Sequence, residues 1–312
     1  MEEPNFAAEV HSPRAGNPPN MSLAKPAAAA GVLAPFAALV IGALAMGASP
    51  IYVRLADVGP FTSAFWRVTL ALPLLYAWTL LADGRESQDQ RFSNPAILAG
   101  LAFAGDLLFW HLSIVHTTVA NATFFATLAP IWVVLFGWLF FRQRVTAGIL
   151  AGLALCIVGG AGLVAQSLHL RPAGALGDAY GAATGVFFGL YFLAVQAARK
   201  KASAARLTFE ATVVTAAVLF VVAAVFERSI WPHSLRGVAA LVAMAWVSHT
   251  GGQGLLSIAL GRLPAAFSSL VIFLEAIAAA GLGYLVLGEP VTSTQAVGGL
   301  AILLGIFVAR PR

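Results

Sequence analysis

LAPIWVVLFGWLFFRQRVTAGILAGLALCIVGGAGLV, residues 128–164, consists of two long apolar runs separated by a polar turn that contains Arg142 and Arg144. The pattern returns as FLEAIAAAGLGYLVLGEPVTSTQAVGGLAILLGIFVA at residues 273–309, and a shift of 146 positions aligns the two stretches without a gap. The shift superimposes Gly105 on Gly251, Ala120 on Ala266, Leu128 on Leu274, Gly137 on Gly283, Leu139 on Leu285, Val145-Thr146 on Val291-Thr292, Gly152 on Gly298 and Gly159 on Gly305. A gapless register over three helices and their turns indicates an internal duplication.

Composition places the chain in a membrane. Of its 312 residues, 60% are apolar and only 10% are charged, whereas soluble domains carry roughly 25% charged residues. Windows of about 19 apolar residues, the length that a hydrocarbon core requires, predict ten spans. They cover residues 34–52, 61–81, 95–115, 120–141, 146–166, 176–197, 207–226, 235–258, 265–287 and 292–309. A polar, proline-rich tail, residues 1–33, precedes them and is expected to be disordered.

Each half therefore holds five spans, in residues 34–166 and 167–312. Because five is odd, the second copy must enter the membrane from the opposite side. The predicted fold is an all-α membrane protein with ten transmembrane helices in two inverted five-helix repeats. Many secondary transporters are built this way, with the substrate site near the bilayer midplane between the repeats.

Charge orients the chain. Thirteen of the eighteen Lys and Arg residues lie in the tails and loops on one side of the ten spans and four on the other, while Arg67 lies inside the second span. Since cytoplasmic loops carry the excess of basic residues, both termini are predicted to be cytoplasmic. The single cysteine, Cys156, excludes intramolecular disulfides and thiolate-cluster metal sites. No cofactor, metal or nucleic-acid partner is expected.

The two quoted stretches, together with SPIYVRLADVGPFTSAFWRVTLALPLL at residues 49–75, resemble the two EamA units of the drug/metabolite transporter superfamily. The resemblance covers almost all of the chain after the tail. It implies an export carrier of the bacterial inner membrane, with a central cavity lined mostly by the first four helices of each half. It also implies that the fifth helices take part in packing or in dimer contacts, so the carrier is expected to be a monomer or a homodimer.

Polar residues inside the spans are the candidate site, since a charge at bilayer depth is costly and is commonly functional. In the third span, Asp106, Trp110, Ser113 and Thr117 fall on one helical stripe, with His111 beside it. In the equivalent eighth span, His249 and Gln253 lie four residues apart on one face. We expect Asp106, Trp110, His111, Ser113, Thr117, His249 and Gln253 to face the solute. The alternative is that these side chains only bond neighbouring helices.

Three intramembrane charges complete the set. Arg67 and Asp106 either neutralise each other, contact substrate, or do both. Glu275 in the ninth span is either a proton carrier or a structural, hydrogen-bonded carboxyl group. Pro50 and Pro130 each remove a backbone donor inside a span and are the expected hinges.

These features predict a secondary-active exporter of small amphipathic metabolites, with amino acids and related compounds as the first candidates. The exporter is expected to work by alternating access in the lipid bilayer, with protons as the candidate coupling ion. Efflux of multiple drugs or cationic compounds is the alternative within transport. An intramembrane aspartyl protease is a remote one, because Gly105-Asp106 and Gly177-Asp178 lack the first glycine of the GxGD motif. A channel would require a polar-lined pore or a ring of like charges, which the scattered charges do not supply. We therefore expect no enzyme activity.

Overall fold

The computed structural model describes residues 26–83, 92–117, 119–165, 174–287 and 291–311. All regular elements in these ranges are helical. They are α1 Pro26–Met46, α2 Ser49–Leu55, α3 Pro60–Thr69, α4 Leu72–Asp83, α5 Asn94–His116, α6 Val119–Ala126, α7 Ala129–Phe141, α8 Ala147–Val164, α9 Ala175–Ala198, α10 Ala204–Phe226, α11 Leu235–Ala243, the π-helical segment Met244–Gln253, α12 Gly254–Leu260, α13 Ala265–Val271, α14 Leu274–Leu287 and α15 Ser293–Ala309.

These elements form ten consecutive spans: α1–α2, α3–α4, α5, α6–α7, α8, α9, α10, α11 to α12, α13–α14, and α15. Within the described residues, eight segments are long and apolar enough to cross a membrane, and Ser293–Ala309 is a shorter apolar helix. The eighth span reaches its full length through the π-helical segment. The ten-helix membrane fold predicted from sequence is confirmed.

The first helix begins earlier than the apolar pattern predicts. Residues 26–33, assigned to the disordered tail, belong to α1, because the run of four alanines at residues 27–30 favours helix. The rest of the predicted tail, residues 1–25, lies outside the described residues.

Three spans break where proline dictates. Helices α1, α3 and α6 end at Met46, Thr69 and Ala126, and each end lies four residues before a proline. These prolines are Pro50, Pro73 and Pro130. A proline lacks the N–H that would bond the carbonyl four residues earlier, and its ring clashes with that carbonyl. The helix therefore ends at that carbonyl and restarts one turn later. Both expected hinge positions, Pro50 and Pro130, lie beside such breaks.

Helices α8 and α15, the last of each half, pack tightly against each other. A Cβ atom added at Gly152 would lie 2.5 Å from the carbonyl oxygen of Gly305, and one added at Gly159 would lie 2.5 Å from that of Gly298. The 146-residue shift makes Gly152 equivalent to Gly298 and Gly159 to Gly305, so each glycine contacts the equivalent of the other. Such reciprocal contact is the property of a two-fold interface. A pseudo-two-fold axis that relates the two halves therefore passes through the contact between α8 and α15, which we call the seam.

Cys156 marks that axis. Its Sγ donates to the carbonyl oxygen of Ile302 at 3.7 Å, and the two residues are 146 positions apart, so each is the repeat equivalent of the other. The repeats also share their capping chemistry. Thr146 and Thr292, again equivalent, cap the N-termini of α8 and α15 through their side chains.

The two halves interleave along the bundle. Helix α5 of the first half packs along α9 and α10 of the second, and α1 packs against the π-helical segment and α12. Helix α10 also packs against α3 and α4. The cavity between the repeats is consequently walled by helices that alternate in origin.

We call the end of the bundle where α1 begins and α15 ends the terminal face, and the other end the opposite face. At the opposite face, the loops of the two halves cross-link. Glu227 accepts hydrogen bonds from the backbone N–H groups of Phe61 at 2.6 Å and Thr62 at 3.1 Å, at the start of α3. Asp57 of the first half accepts one from the N–H of His233 at 3.1 Å, just before α11. Each half thus supplies a carboxylate to the start of a helix in the other half.

Candidate functional site

A cavity in the middle of the bundle gathers the three intramembrane charges. Arg67 from α3, Asp106 from α5 and Glu275 from α14 all line it. Phe103, Trp110 and Phe188 supply aromatic walls. The cavity volume is about 50 Å³, well below the roughly 300–1,000 Å³ of most ligand sites. In this conformation the cavity has room for water molecules, and a metabolite requires the helices to separate.

Among the described residues that line the cavity, Arg67 is the only cation. It is 5% exposed, and its guanidinium carbon lies 5.9 Å from the centre of the Phe103 ring. Its Nε has no hydrogen-bond partner among the described residues. A buried guanidinium N–H without a partner is costly, so this atom is a donor available to a ligand.

The two carboxyl groups share the field of Arg67 without contacting it directly. The guanidinium is close enough to interact electrostatically with both Asp106 and Glu275. Within the described part of the chain, however, the Arg67 and Asp106 side chains do not form a direct ion pair. Of the roles that the sequence left open, direct pairing of Arg67 with Asp106 is absent in this conformation, and the space between them belongs to the cavity.

The charges in this cavity do not balance. One guanidinium faces two carboxyl groups, so the fully ionised set carries one excess negative charge. A single added proton, or a single cationic group of a ligand, makes the set neutral. Because an uncompensated charge away from water is costly, this cavity favours the arrival of one positive charge.

Two further predicted residues also line the cavity. Trp110 presents its indole there, and Gln253 reaches it from the end of the π-helical segment. The Gln253 side-chain nitrogen contacts Met46 Sδ at 3.2 Å, while its side-chain oxygen has no partner among the described residues. Gln253 therefore offers an acceptor and Arg67 a donor to the same space. The predicted hinge Pro50 lines the wall as well.

Four of the predicted contact residues are not among the described residues that line the cavity, and in this conformation each hydrogen-bonds to a helix. Ser113 donates to the carbonyl of Gly177 at 2.8 Å, and Thr117 donates to Asp178 at 2.9 Å. His111 bonds the Leu107 carbonyl at 2.6 Å. His249 bonds the Thr212 hydroxyl at 2.9 Å and packs on Phe103.

For Ser113 and Thr117 the physical reason is the close approach of α9. A Cβ added at Gly177 would lie 2.7 Å from the backbone N of Thr117, and one at Gly181 would lie 3.1 Å from Ser113 Oγ. Small residues allow the two helices to touch, and this contact covers the part of the α5 stripe nearer the opposite face. A helical stripe identifies a common face, but a neighbouring helix determines how much of that face remains open.

Sequence reasoning missed several lining residues. Ser49, Thr123, Thr127 and Thr184 border the cavity, and the Ser49 hydroxyl has no partner among the described residues. The signal available for two of them was their spacing, because Thr123 and Thr127 are four residues apart just before Pro130. Hydroxyl groups near a helix break in a membrane commonly border a wet space.

Towards the terminal face the bundle is closed. Phe192, Leu207, Leu256 and Phe267 are all buried there. Polar side chains fasten the same end: Gln143 donates to Gln196 at 3.2 Å, and Gln196 donates to the carbonyl of Leu263 at 3.4 Å. The conformation described is therefore sealed at the terminal face.

An inverted duplication of helical repeats around a charged central cavity defines a multi-pass membrane transporter of small compounds. The chain belongs to the EamA-like transporter family, which matches residues 33–165 and 175–310. The resemblance drawn from the sequence is confirmed. Among curated proteins, an uncharacterized transporter of Archaeoglobus fulgidus is 27% identical to this chain over 278 residues. The alignment covers 88% of this chain and 95% of that protein.

The fold has also been seen by crystallography. A solved crystal structure with 20% sequence identity superimposes with a TM-score of 0.77, covering 90% of this chain and 96% of the other. At that identity the likeness shows the shared fold.

The geometry does not fit the aspartyl protease alternative. Asp106 lines the cavity, whereas Asp178 accepts a hydrogen bond from Thr117 where α5 contacts α9. A catalytic aspartyl pair needs both groups in one site.

Proposed function

We propose that this protein is a secondary-active exporter of small amphipathic metabolites, amino acids and related compounds first, that works by alternating access. The observation that carries the proposal is the cavity in which Arg67, Asp106 and Glu275 meet beside aromatic walls. A zwitterionic solute presents a carboxylate and an ammonium group. The unpartnered donor of Arg67 suits the former, and the two carboxyl groups suit the latter.

The excess carboxyl group supports proton coupling. A zwitterion adds no net charge, but its ammonium group and a proton compete for the same carboxylate, so a proton binds Asp106 or Glu275 when the ammonium group leaves. Substrate and proton therefore replace each other at one site, which is the requirement for antiport by alternating access.

Efflux of organic cations is the second candidate, and the same charge imbalance favours it. Two carboxyl groups with Phe103, Trp110 and Phe188 also suit a flat cation that stacks on aromatic rings. The candidates differ in their need for Arg67, because only a substrate with an anionic group uses its guanidinium.

The experiment loads proteoliposomes with a mixed pool of amino acids and, separately, with a fluorescent organic cation, and measures release at two pH gradients. An amino-acid exporter releases the amino acids faster as the proton gradient directed opposite to export grows. In Arg67→Gln, zwitterion export falls while cation efflux persists. Release of neither pool, with folded protein verified in the vesicles, contradicts both candidates.

The coupling residue is identified by neutral variants. If Asp106 carries the coupled proton, Asp106→Asn removes the dependence of transport on the pH gradient but leaves counterflow exchange of substrate intact. If Glu275 carries it, Glu275→Gln has that effect. Asp178→Asn is the control, since Asp178 lies outside the cavity. Unaltered pH dependence in both single variants refutes proton coupling at these groups.

We further propose a bacterial inner-membrane location, which the family resemblance implies. The charge bias between loops supports cytoplasmic positions for both termini. The terminal face is then cytoplasmic, and the conformation described is closed towards the cytoplasm. Labelling of single cysteines introduced at Arg236 and at Lys200, in a Cys156→Ser background, reports the side on which each lies. The expected result is labelling at position 236 from outside the cell.

A further inference from the structure

A second cavity opens at the terminal face, away from the transport site. It measures about 550 Å³ and lies between three segments: the turn between α7 and α8, the end of α9, and the turn between α12 and α13. Gln143 and Arg144 come from the first segment, Arg199 and Lys200 from the second, and Arg262 from the third. We call this cavity the basic cleft.

The basic cleft concentrates positive charge. Arg144, Arg199, Lys200 and Arg262 line it, and none of the described lining residues carries a carboxyl group. Arg199 and Arg262 lie close enough to repel each other, while Asp83, which lines a neighbouring cavity, attracts Arg199 from outside the cleft. Four cations held together without an anion among them favour a negatively charged ligand.

One of the cations is fixed in place. Arg199 Nε donates to the carbonyl of Ser257 at 2.9 Å, and another guanidinium nitrogen donates to the carbonyl of Ala202. A Cβ added at Gly261 would lie 2.5 Å from Nη2 of Arg199, so the absence of a side chain at Gly261 allows the guanidinium to lie against this turn. A held guanidinium is pre-organised for an anion, and the exposed Arg144, Lys200 and Arg262 can close around it.

We propose that the basic cleft binds a phosphate group, either the headgroup phosphate of an anionic lipid or a free phosphate anion. Arginine side chains match phosphate oxygens with paired N–H donors. The ends of membrane helices also lie at the depth of lipid headgroups, where basic pockets recognise anionic lipids. A phosphate bound here bridges the same three segments that the Gln143–Gln196–Leu263 chain already fastens. Binding therefore stabilises the closed terminal face.

The test measures thermal stability of the full chain in nanodiscs of three kinds: phosphatidylcholine alone, phosphatidylcholine mixed with phosphatidylglycerol, and phosphatidylcholine with added inorganic phosphate. The test variant is Arg144→Gln with Arg262→Gln. Its matched control is Arg228→Gln with Arg236→Gln, two exposed arginines at the opposite face. Native mass spectrometry in parallel counts the phosphatidylglycerol molecules that remain bound.

We expect a higher melting temperature for the wild type and the control in at least one anionic condition. We also expect apparent affinity on the order of tenfold or more weaker in the test variant, because two cations near the headgroups are lost. A shift with phosphatidylglycerol alone identifies a lipid headgroup, and a shift with inorganic phosphate alone identifies a free anion. Absence of any shift, or an equal shift in the test variant, overturns the proposal.

Discussion

In the first half of the molecule the fourth span breaks between Ala126 and Ala129. In the second half the ninth span breaks within one residue of the equivalent place, between Val271 and Leu274. Pro130 accounts for the first break, but the repeat equivalent of Pro130 is Ala276. Phe273, fully buried at the second break, packs its ring towards Gly160, where an added Cβ would lie 3.0 Å away. The same bend is thus fixed by a local residue in one half and accompanied by tertiary packing in the other.

The halves also differ in how many spans bend. The first two spans are broken beside Pro50 and Pro73, whereas their equivalents α9 and α10 run without a break and contain no proline. Two of the three cavity charges, Arg67 and Asp106, come from the half with the proline breaks, and the third, Glu275, follows the proline-free break. Broken helices and cavity charges therefore lie together, as expected where a membrane helix borders a site that changes shape.

The largest expected effect concerns the first-half charges. Arg67→Leu leaves the buried carboxyl group of Asp106 and the half-buried one of Glu275 without their cation. Breaking buried charge compensation costs about 3–5 kcal/mol. Adding Asp106→Leu removes one of these carboxyl groups and should recover part of the loss. Yield of monodisperse protein in size-exclusion chromatography is the measurement, with the exposed Arg236→Leu as control. A double variant no better than the single one shows that the two charges do not compensate each other.

The second prediction tests whether the two breaks are equivalent. Ala276→Pro places a proline where the first half has Pro130, and we expect the ninth span to tolerate it because the break already exists. Ala280→Pro, one turn later inside α14, should cost about 3 kcal/mol or more. Melting temperatures in detergent compare the two variants. Similar losses at both positions contradict the equivalence.

The third prediction concerns the seam between α8 and α15. Gly298→Ala forces a methyl group to within 2.5 Å of the Gly159 carbonyl oxygen, and overpacking of this kind costs about 1–3 kcal/mol. The pseudo-two-fold relation predicts a similar cost for the equivalent Gly152→Ala. The neighbouring Gly299→Ala is the control, because its nearest foreign atom is 4.0 Å away, and it should be neutral or mildly stabilising. Melting temperatures that do not separate position 298 from position 299 argue against a tight seam.

The smallest expected effect concerns the cross-links at the opposite face. Glu227→Ala removes the acceptor for the N–H groups of Phe61 and Thr62, and loss of such a helix cap costs about 1 kcal/mol. Glu227→Gln retains one acceptor oxygen and should cost less. Hydrogen exchange at the start of α3 reports the loss directly. Unchanged exchange in Glu227→Ala shows that the carboxylate does not hold α3.

The amino-acid sequence by itself determined the features that depend on local chemistry. Apolar run lengths predicted ten spans, Pro50 and Pro130 indicated two of the helix breaks, and the 146-residue register predicted the inverted repeat. The intramembrane charges Arg67, Asp106 and Glu275 were recognisable because a charge at bilayer depth is costly wherever the helices lie.

Only the tertiary structure decided which polar faces stay open. Ser113 and Thr117 share a helical stripe with Asp106, but α9 covers them and leaves Asp106 in the cavity. His249 and Gln253 share a face in sequence, yet His249 bonds Thr212 while Gln253 reaches the cavity. Helical periodicity fixes which side chains share a face, whereas the partner of that face depends on close approaches between distant helices. The interleaving of the halves and the proline-free break at Phe273 depend on those same long-range contacts.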